Sequence, residues 1–270
     1  MITARILAIG FLLTVIAYAQ NGHSPSPTLF PARINGKWGY INRSGKVVIR
    51  PMLNGAEEFS EGLARVRIGQ KWGYINLSRR IVIPPKYDTG LFPLYSDDPK
   101  EDYSSRFSEG LALVVKGGKY GYVSRAGKVL VKPRFALARR FNEHRAAVMV
   151  NKRWGYIDQS GRIIIKPQFG GARIYSEGLA AVQIEGQWGY IDPYGKVIIP
   201  PQFNRGAPFS EGLASVFSRD TNRYGYIDPH GDMVIKPQFV TAGIFQRWLS
   251  AGLYWTERRR TSSCPRVWVH

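Results

Sequence analysis

Residues 177–203 read E-G-L-A-A-V-Q-I-E-G-Q-W-G-Y-I-D-P-Y-G-K-V-I-I-P-P-Q-F. Apolar and polar positions alternate here in short runs cut by turn residues. Leu179, Ala181 and Gln183 alternate with Ala180, Val182 and Ile184, the period-two pattern of a strand. Glu185-Gly186 is a tight-turn signal, and Trp188-Gly189-Tyr190-Ile191 is a second short strand. Asp192-Pro193-Tyr194-Gly195 has the chemistry of a four-residue turn, with an acceptor side chain first and glycine at the position of positive φ. Val197-Ile198-Ile199 is a third strand, apolar on both faces and therefore predicted to be buried on both, and Pro201 is expected to stop it. Phe209-Ser210-Glu211-Gly212 then turns into the next first strand. One unit is predicted to be a three-stranded antiparallel meander.

The same pattern occurs six times. Aromatic-glycine pairs stand at Trp38-Gly39, Trp72-Gly73, Tyr120-Gly121, Trp154-Gly155, Trp188-Gly189 and Tyr224-Gly225, with spacings of 34, 48, 34, 34 and 36 residues. A period of this length signals a tandem array of supersecondary units. Proline follows each aromatic by 13 residues, at Pro51, Pro85, Pro133, Pro167, Pro201 and Pro237. The turn glycine is kept at Gly45, Gly127, Gly161, Gly195 and Gly231 but is Arg79 in the second unit, so that turn is expected to be strained or differently shaped. Segments such as Asn54 to Glu58 leave room for at most one helical turn. The expected fold is all-β, a tandem array of six three-stranded antiparallel meanders in an open solenoid or superhelix. A closed β-propeller is the alternative, since the period is short for a four-stranded blade. The aromatic beside a glycine suits close packing against bare backbone, and the competing reading is a ladder of exposed rings that stack on sugars or bases.

These residues also carry a resemblance. K-W-G-Y-I-N-R-S-G-K-V-V-I-R-P at 37–51, with E-G-L-A-x-V before later Trp-Gly pairs, is similar to the WG (KWG) repeat family of bacterial proteins over residues 29–245. The resemblance implies a β-rich repeat, often exported or envelope-associated, with no established general catalytic activity and no catalytic residues to carry over. This chain departs from the pattern at Tyr120, Tyr224, Arg79 and Asn142-Glu143-His144-Arg145.

The ends differ from the array. Arg5, the apolar run Ile6 to Ala17 and Ala17-Tyr18-Ala19 predict a signal peptide over 1–19, so an exported protein, periplasmic or at the cell surface of a bacterium. No membrane span is expected after its removal. Residues 20–28 read as an extended leader. A lone cysteine, Cys264, leaves no internal disulfide. The second unit carries a 14-residue insertion at about 91–106, with Asp97, Asp98, Glu101 and Asp102 as the acidic cluster of a basic chain. It reads as a binding loop or a solvated one. After Phe245 the repeat breaks off, and 246–270 hold Arg258-Arg259-Arg260 and no periodicity. Two readings stay open, a basic partner-binding tail and the product of a reading-frame shift, and the second is preferred. Codons for Phe245 to Gly252 read one nucleotide later permit Phe-Ser-Asp-Gly-Leu-Ala-Pro, which resumes the repeat.

Lys and Arg number 38 against 19 Asp and Glu, a formal net charge of +19, which favours anionic partners. The excess recurs in register. Lys46, Arg80, Lys128, Arg162 and Lys196 follow the turn, and Arg50, Lys132, Lys166 and Lys236 precede the proline. In a stacked array such positions line up as cationic stripes, the candidate partner-binding residues. Lys37, Lys71, Lys119 and Arg153 precede the aromatic anchors. Glu61, Glu109, Glu143, Glu177 and Glu211 share one repeat position, expected to be structural and to pair with a repeat lysine. Asp158, Asp192 and Asp228, with Asn42 and Asn76, share another and read as turn acceptors. Ser60, Ser108, Ser176 and Ser210 also read as turn residues. His23, His144, His230 and His270 occupy unrelated positions, so no metal set, catalytic dyad, cofactor site or phosphate loop is expected. The leading expectation is a non-enzymatic binding or scaffold protein for anionic envelope polymers, glycans or proteins. An enzyme or accessory acting on envelope glycans, with Glu177 and Glu211 among its acids, is the alternative. Nucleic-acid binding is a weaker one, and the sequence leaves the oligomeric state open.

Overall fold

The computed structural model describes residues 28–90 and 105–243. The predicted signal peptide, almost all of the leader, most of the acidic insertion and the tail lie outside these residues. No helix occurs among the described residues, which form 22 strands. The first sheet is β1 (Phe30–Ile34), β2 (Lys37–Ile41) and β3 (Val47–Leu53); the second is β4 (Gly55–Ser60), β5 (Leu63–Ile68), β6 (Lys71–Asn76) and β7 (Ile81–Tyr87). The third is β8 (Leu111–Lys116), β9 (Lys119–Ser124) and β10 (Val129–Phe135). The fourth is β11 (Leu137–Ala138), β12 (Arg145–Val150), β13 (Arg153–Asp158) and β14 (Ile163–Phe169). The fifth is β15 (Gly171–Ser176), β16 (Leu179–Ile184), β17 (Gln187–Ile191) and β18 (Val197–Phe203); the sixth is β19 (Arg205–Gly206), β20 (Ala214–Ser218), β21 (Arg223–Ile227) and β22 (Met233–Phe239). Each sheet is an antiparallel meander in chain order, and none closes into a barrel. The expected all-β array of six units is therefore present.

Four sheets gain a fourth strand ahead of the meander, from segments such as Asn54 to Glu58 for which one helical turn was the most expected. Backbone pairing explains it. Gly55 pairs with Arg67 and Ser60 with Leu63, so the chain closes a hairpin through Glu61-Gly62. Both corner residues are left-handed, at φ 49° and 80°, the geometry that matches the twist of paired strands.

Two readings of the last strand need correction. Proline does not stop it: β18 runs through Pro201 to Phe203. Trp188 pairs with Phe203 and Tyr190 with Ile199, so Gly189 alone on one strand faces Pro200, Pro201 and Gln202 on the other, and the prolines sit in this bulge, where no ladder donor is required. The bulge presses bare backbone on the anchor glycine. A Cβ at Gly189 would lie 2.5 Å from the Ile199 carbonyl oxygen, and one at Gly155 2.5 Å from that of Ile165. Nor is the strand buried on both faces. Ile199 is fully buried, but Val197 and Ile198 are 41% and 40% exposed.

The hydrophobic cores lie between the sheets. Tyr190, Ile199 and Phe203 of the fifth sheet pack with Ala214, Val216 and Ile227 of the sixth. Tyr156, Ile165 and Phe169 meet Ala180, Val182 and Ile191, and Tyr122, Val131 and Phe135 meet Ala146, Val148 and Ile157. The second and third sheets, and the first and second, repeat the arrangement. Strand alternation produces it. Trp188 and Tyr190 share one face with their partners Phe203 and Ile199, while Ile191 and its partner Ala180 share the other. One face of each sheet packs backward and the other forward.

Candidate functional site

The tyrosine two residues after each anchor aromatic is the most buried ring of its unit. Tyr40, Tyr122, Tyr156, Tyr190 and Tyr226 are wholly buried. Its hydroxyl donates to a carbonyl 17 residues further on: Tyr40 to Glu57 at 2.7 Å, Tyr122 to Arg139 at 2.6 Å, Tyr156 to Arg173 at 2.9 Å and Tyr190 to Ala207 at 2.9 Å. Tyr74 spans 31 residues to Ser105 at 2.8 Å. The longer span accommodates the 14-residue insertion, and the junction bond is kept across it. In the first five sheets this ring meets the aromatic just before the next hairpin corner, as Tyr190 meets Phe209 at 5.0 Å and Tyr122 meets Phe141 edge-on at 4.7 Å. Burial pushes the Tyr226 phenol up to about 12 and raises those of Tyr122 and Tyr156's counterpart Tyr190 as well.

The anchor rings themselves lie across their sheets. Trp154 and Tyr120 are buried, and Trp38, Trp72, Trp188 and Tyr224 are half-buried; none of the six is exposed. The packing reading holds and the exposed ladder does not. Buried arginines cover three of these rings. Arg65, Arg139 and Arg173 stand 4.1, 5.1 and 5.2 Å over Trp72, Trp154 and Trp188. Arg65 also pairs with Glu57 at 2.8 Å. Sequence reasoning passed over these three, because Arg65 replaces the Leu113, Ala147 or Ala181 of other units, while Arg139 and Arg173 fall at the position of Glu57.

The repeated glutamates are clamps between units, with a backbone partner in place of the expected lysine. Glu61 accepts from the Gly110 N–H at 3.0 Å, Glu109 from His144 at 2.9 Å, Glu143 from Gly178 at 3.0 Å and Glu177 from Gly212 at 2.9 Å. Each carboxylate leaves the corner of one hairpin and reaches the corner of the next. Ser60 and Ser108 add bonds to the carbonyls of Phe107 and Phe141. The Asp/Asn position is a turn acceptor, as expected. Asp192 Oδ1 receives the N–H groups of Tyr194 and Lys196, both at 2.9 Å. For Asp158, partial burial acts upward, but bonds from Ser160 and Arg162 outweigh it and hold the carboxyl below its usual range. Arg79 adopts φ 65° in an otherwise ordinary turn, with its N–H 3.0 Å from the Asn76 carbonyl. That turn is strained and keeps its shape.

Lys46, Arg50, Arg80, Lys128, Lys132, Arg162, Lys166, Lys196 and Lys236 are all exposed. They lie on the last strand of each sheet or on the turn before it. Among the nine, Arg162 alone is ion-paired in the described residues, to Asp158 at 2.8 Å. Exposed apolar residues stand between them: Val47, Ile81, Val129, Ile163 and Val197. The last strand of every sheet is thus an unpaired edge that is both cationic and apolar.

Cavities among the described residues include one of about 270 Å³ beside Leu29 and Phe59 and one of about 420 Å³ beside Phe203 and Met233. Neither brings two carboxylates or a histidine together. No group of three or more His, Cys, Asp or Glu able to hold a metal ion is found among the described residues.

A sequence model described as WG containing repeat matches in seven stretches: 38–72, 72–92, 102–120, 120–154, 154–188, 188–219 and 224–247. The chain belongs to this family. The second and third stretches are the halves of one WG repeat parted by the insertion. No curated protein sequence matches the chain. Among solved structures, a catalytically inactive virginiamycin B lyase from Staphylococcus aureus with quinupristin is 14% identical, over 80% of this chain and 86% of that one, with a TM-score of 0.42. Kluyveromyces lactis Hsv2 with its complete loop 6CD is 9% identical, over 76% and 71%, at 0.48. PorZ, a surface component of the type-IX secretion system of Porphyromonas gingivalis, is 11% identical over 78% and 31%, at 0.38. Scores this low decide nothing about the WG array's ligand.

Proposed function

We propose that this WG-repeat chain is an exported, non-enzymatic scaffold that binds an anionic polymer of the bacterial envelope along the open edges of its sheets. The observation that carries this is the row of nine exposed cations repeated in register from sheet to sheet. A row of charge at a repeating spacing suits a polymer whose anions also repeat. The predicted signal peptide supports export. The alternative, an enzyme or accessory acting on envelope glycans through Glu177 and Glu211, loses support because Glu177 holds the Gly212 N–H. Stacking on nucleic-acid bases loses support because none of the six anchor rings is exposed.

The test is retention of the chain on an immobilised anionic polymer and on a neutral glycan, each at low and high salt. Binding to the polyanion is expected to fall steeply with salt, as counterion release requires. A Lys128→Gln, Lys132→Gln, Lys166→Gln, Lys196→Gln variant should bind more weakly with a shallower salt slope. Retention that ignores both salt and these substitutions would sink the reading. Preference for the neutral glycan would also overturn it, in favour of a glycan module.

A further inference from the structure

Each of the five cores is built from the same two halves, and the array carries one unused half at each end. The forward half is the tyrosine, the third residue of the last strand and the aromatic that ends that strand. In the second to fifth sheets these residues are buried, as Ile83, Val131, Ile165 and Ile199 show. In the sixth sheet Tyr226 is buried, but Ile235 and Phe239 are only half-buried, and Val234 is 56% exposed. The backward half is the first strand of the meander and the isoleucine or valine after the tyrosine. Ile75, Val123, Ile157, Ile191 and Ile227 are all buried there. Their counterpart Ile41 is half-buried, and Phe30 beside it is 42% exposed.

Two further contacts are halved in the same way. At the internal junctions the turn glycine rests on the previous sheet: a Cβ at Gly195 would lie 3.4 Å from Ile165, and one at Gly231 3.0 Å from Ile199. Around Gly45 nothing lies within 4 Å. Likewise Glu211 is the clamp carboxylate with no following hairpin among the described residues. Its complement at the other end is the corner one period before Gly62, at Thr28, which is exposed. Three contacts, the core, the turn glycine and the clamp, are therefore open at one end face, with their complements open at the other.

We propose that the two end faces dock on each other between copies of this chain, head to tail, to form a sixth core of the same kind as the five within it. The occupant is a second copy for three reasons. The missing half of each end is the other end. Among the described residues both faces stay uncovered, and the first and sixth sheets do not cover each other. Residues 246–270 lack the strand periodicity that a covering unit requires. Such contact is heterologous, so it propagates to a ring or a filament and does not stop at a two-fold dimer. It does not rest on polyanion binding, and the two respond to salt in opposite directions. The net charge of +19 makes copies repel, so screening strengthens docking while it weakens a polyanion complex.

Sedimentation of the full chain over roughly a hundredfold dilution series, at low and moderate salt, reads the association. The chain is expected to form dimers and larger species that dissociate on dilution and increase with salt. Ile41→Asp blocks one face and Ile235→Asp the other, so each variant alone should be monomeric. Mixed, they should give a one-to-one dimer that grows no further. Circular dichroism establishes that each variant is folded. Glu211→Lys, at an exposed position, gives a second probe that leaves the cores intact and should weaken association. A monomeric wild type at every concentration and salt overturns the proposal. So does a mixture of the two blocked variants that stays monomeric while the wild type associates, since the contact is then not head to tail.

Discussion

At the scale of single residues, close backbone approach outweighs side-chain chemistry. The anchor glycine is kept in all six units because the proline bulge of the next strand leaves no volume for a methyl group. Gly155→Ala places its Cβ 2.5 Å from the Ile165 carbonyl oxygen. It is expected to cost on the order of 2 kcal/mol or more, read as a lower denaturant midpoint. Tyr156→Phe deletes a buried hydroxyl and leaves the Arg173 carbonyl without that donor, for a loss of ~1 kcal/mol. Arg79→Gly should act in the opposite direction. It relieves a left-handed arginine at φ 65°, for a gain of ~0.5 to ~1 kcal/mol. The phenols set an alkaline limit. Burial pushes the Tyr226 phenol up to about 12 in the folded chain, against 10.0 for the free side chain. A raised phenol contributes stability that is fully present below pH 10 and lost as pH rises through the folded value. Thermal midpoints should therefore be flat up to about pH 10 and fall above it, together with tyrosinate absorbance. A midpoint insensitive to alkali would contradict the burial of these rings.

Among the elements, the hairpin corner and the open last strand do different work. The corner Ser-Glu-Gly forms the turn and also grips the next sheet through its carboxylate. Glu143→Ala should lower the unfolding free energy by ~1 kcal/mol, read as a lower midpoint, because the Gly178 N–H loses its acceptor. Glu211→Ala, with no following hairpin to grip within its own chain, should leave the midpoint of the dilute, unassociated chain unchanged. Equal losses at the two positions would show that the glutamate acts within its own turn. The last strand is an unpaired edge, and its lysines, arginines, prolines and bulge also discourage sheet-to-sheet aggregation. That protective role needs the charges to be present but not to match a ligand. The salt slope of the four-lysine variant separates the two roles.

For the whole molecule, stability is carried by cores shared between neighbours, and no sheet has a core of its own. Such an array behaves as a chain of units coupled to nearest neighbours. Unfolding probed at Trp38 and at Trp188 need not coincide, and one two-state free energy would misdescribe it. The same geometry makes the two end faces complementary and leads to the head-to-tail docking argued above.

Sequence alone determined the unit. The period, the strand alternation, the turn acceptors Asn42 to Asp228 and the exposed cations follow from local chemistry, which each unit repeats within a few residues. Tertiary structure decided what the units do to one another. Glu177 looked like an acid awaiting a lysine, yet its partner is an amide 35 residues away. Trp188 looked like the anchor, yet the wholly buried ring is Tyr190, because only the stacking of sheets reveals which residues lie in a shared core. Pro201 looked like a stop, yet it sits in a bulge whose reason is the glycine on the neighbouring strand. Each of these depends on contact between segments that are distant in sequence, and no local pattern records it.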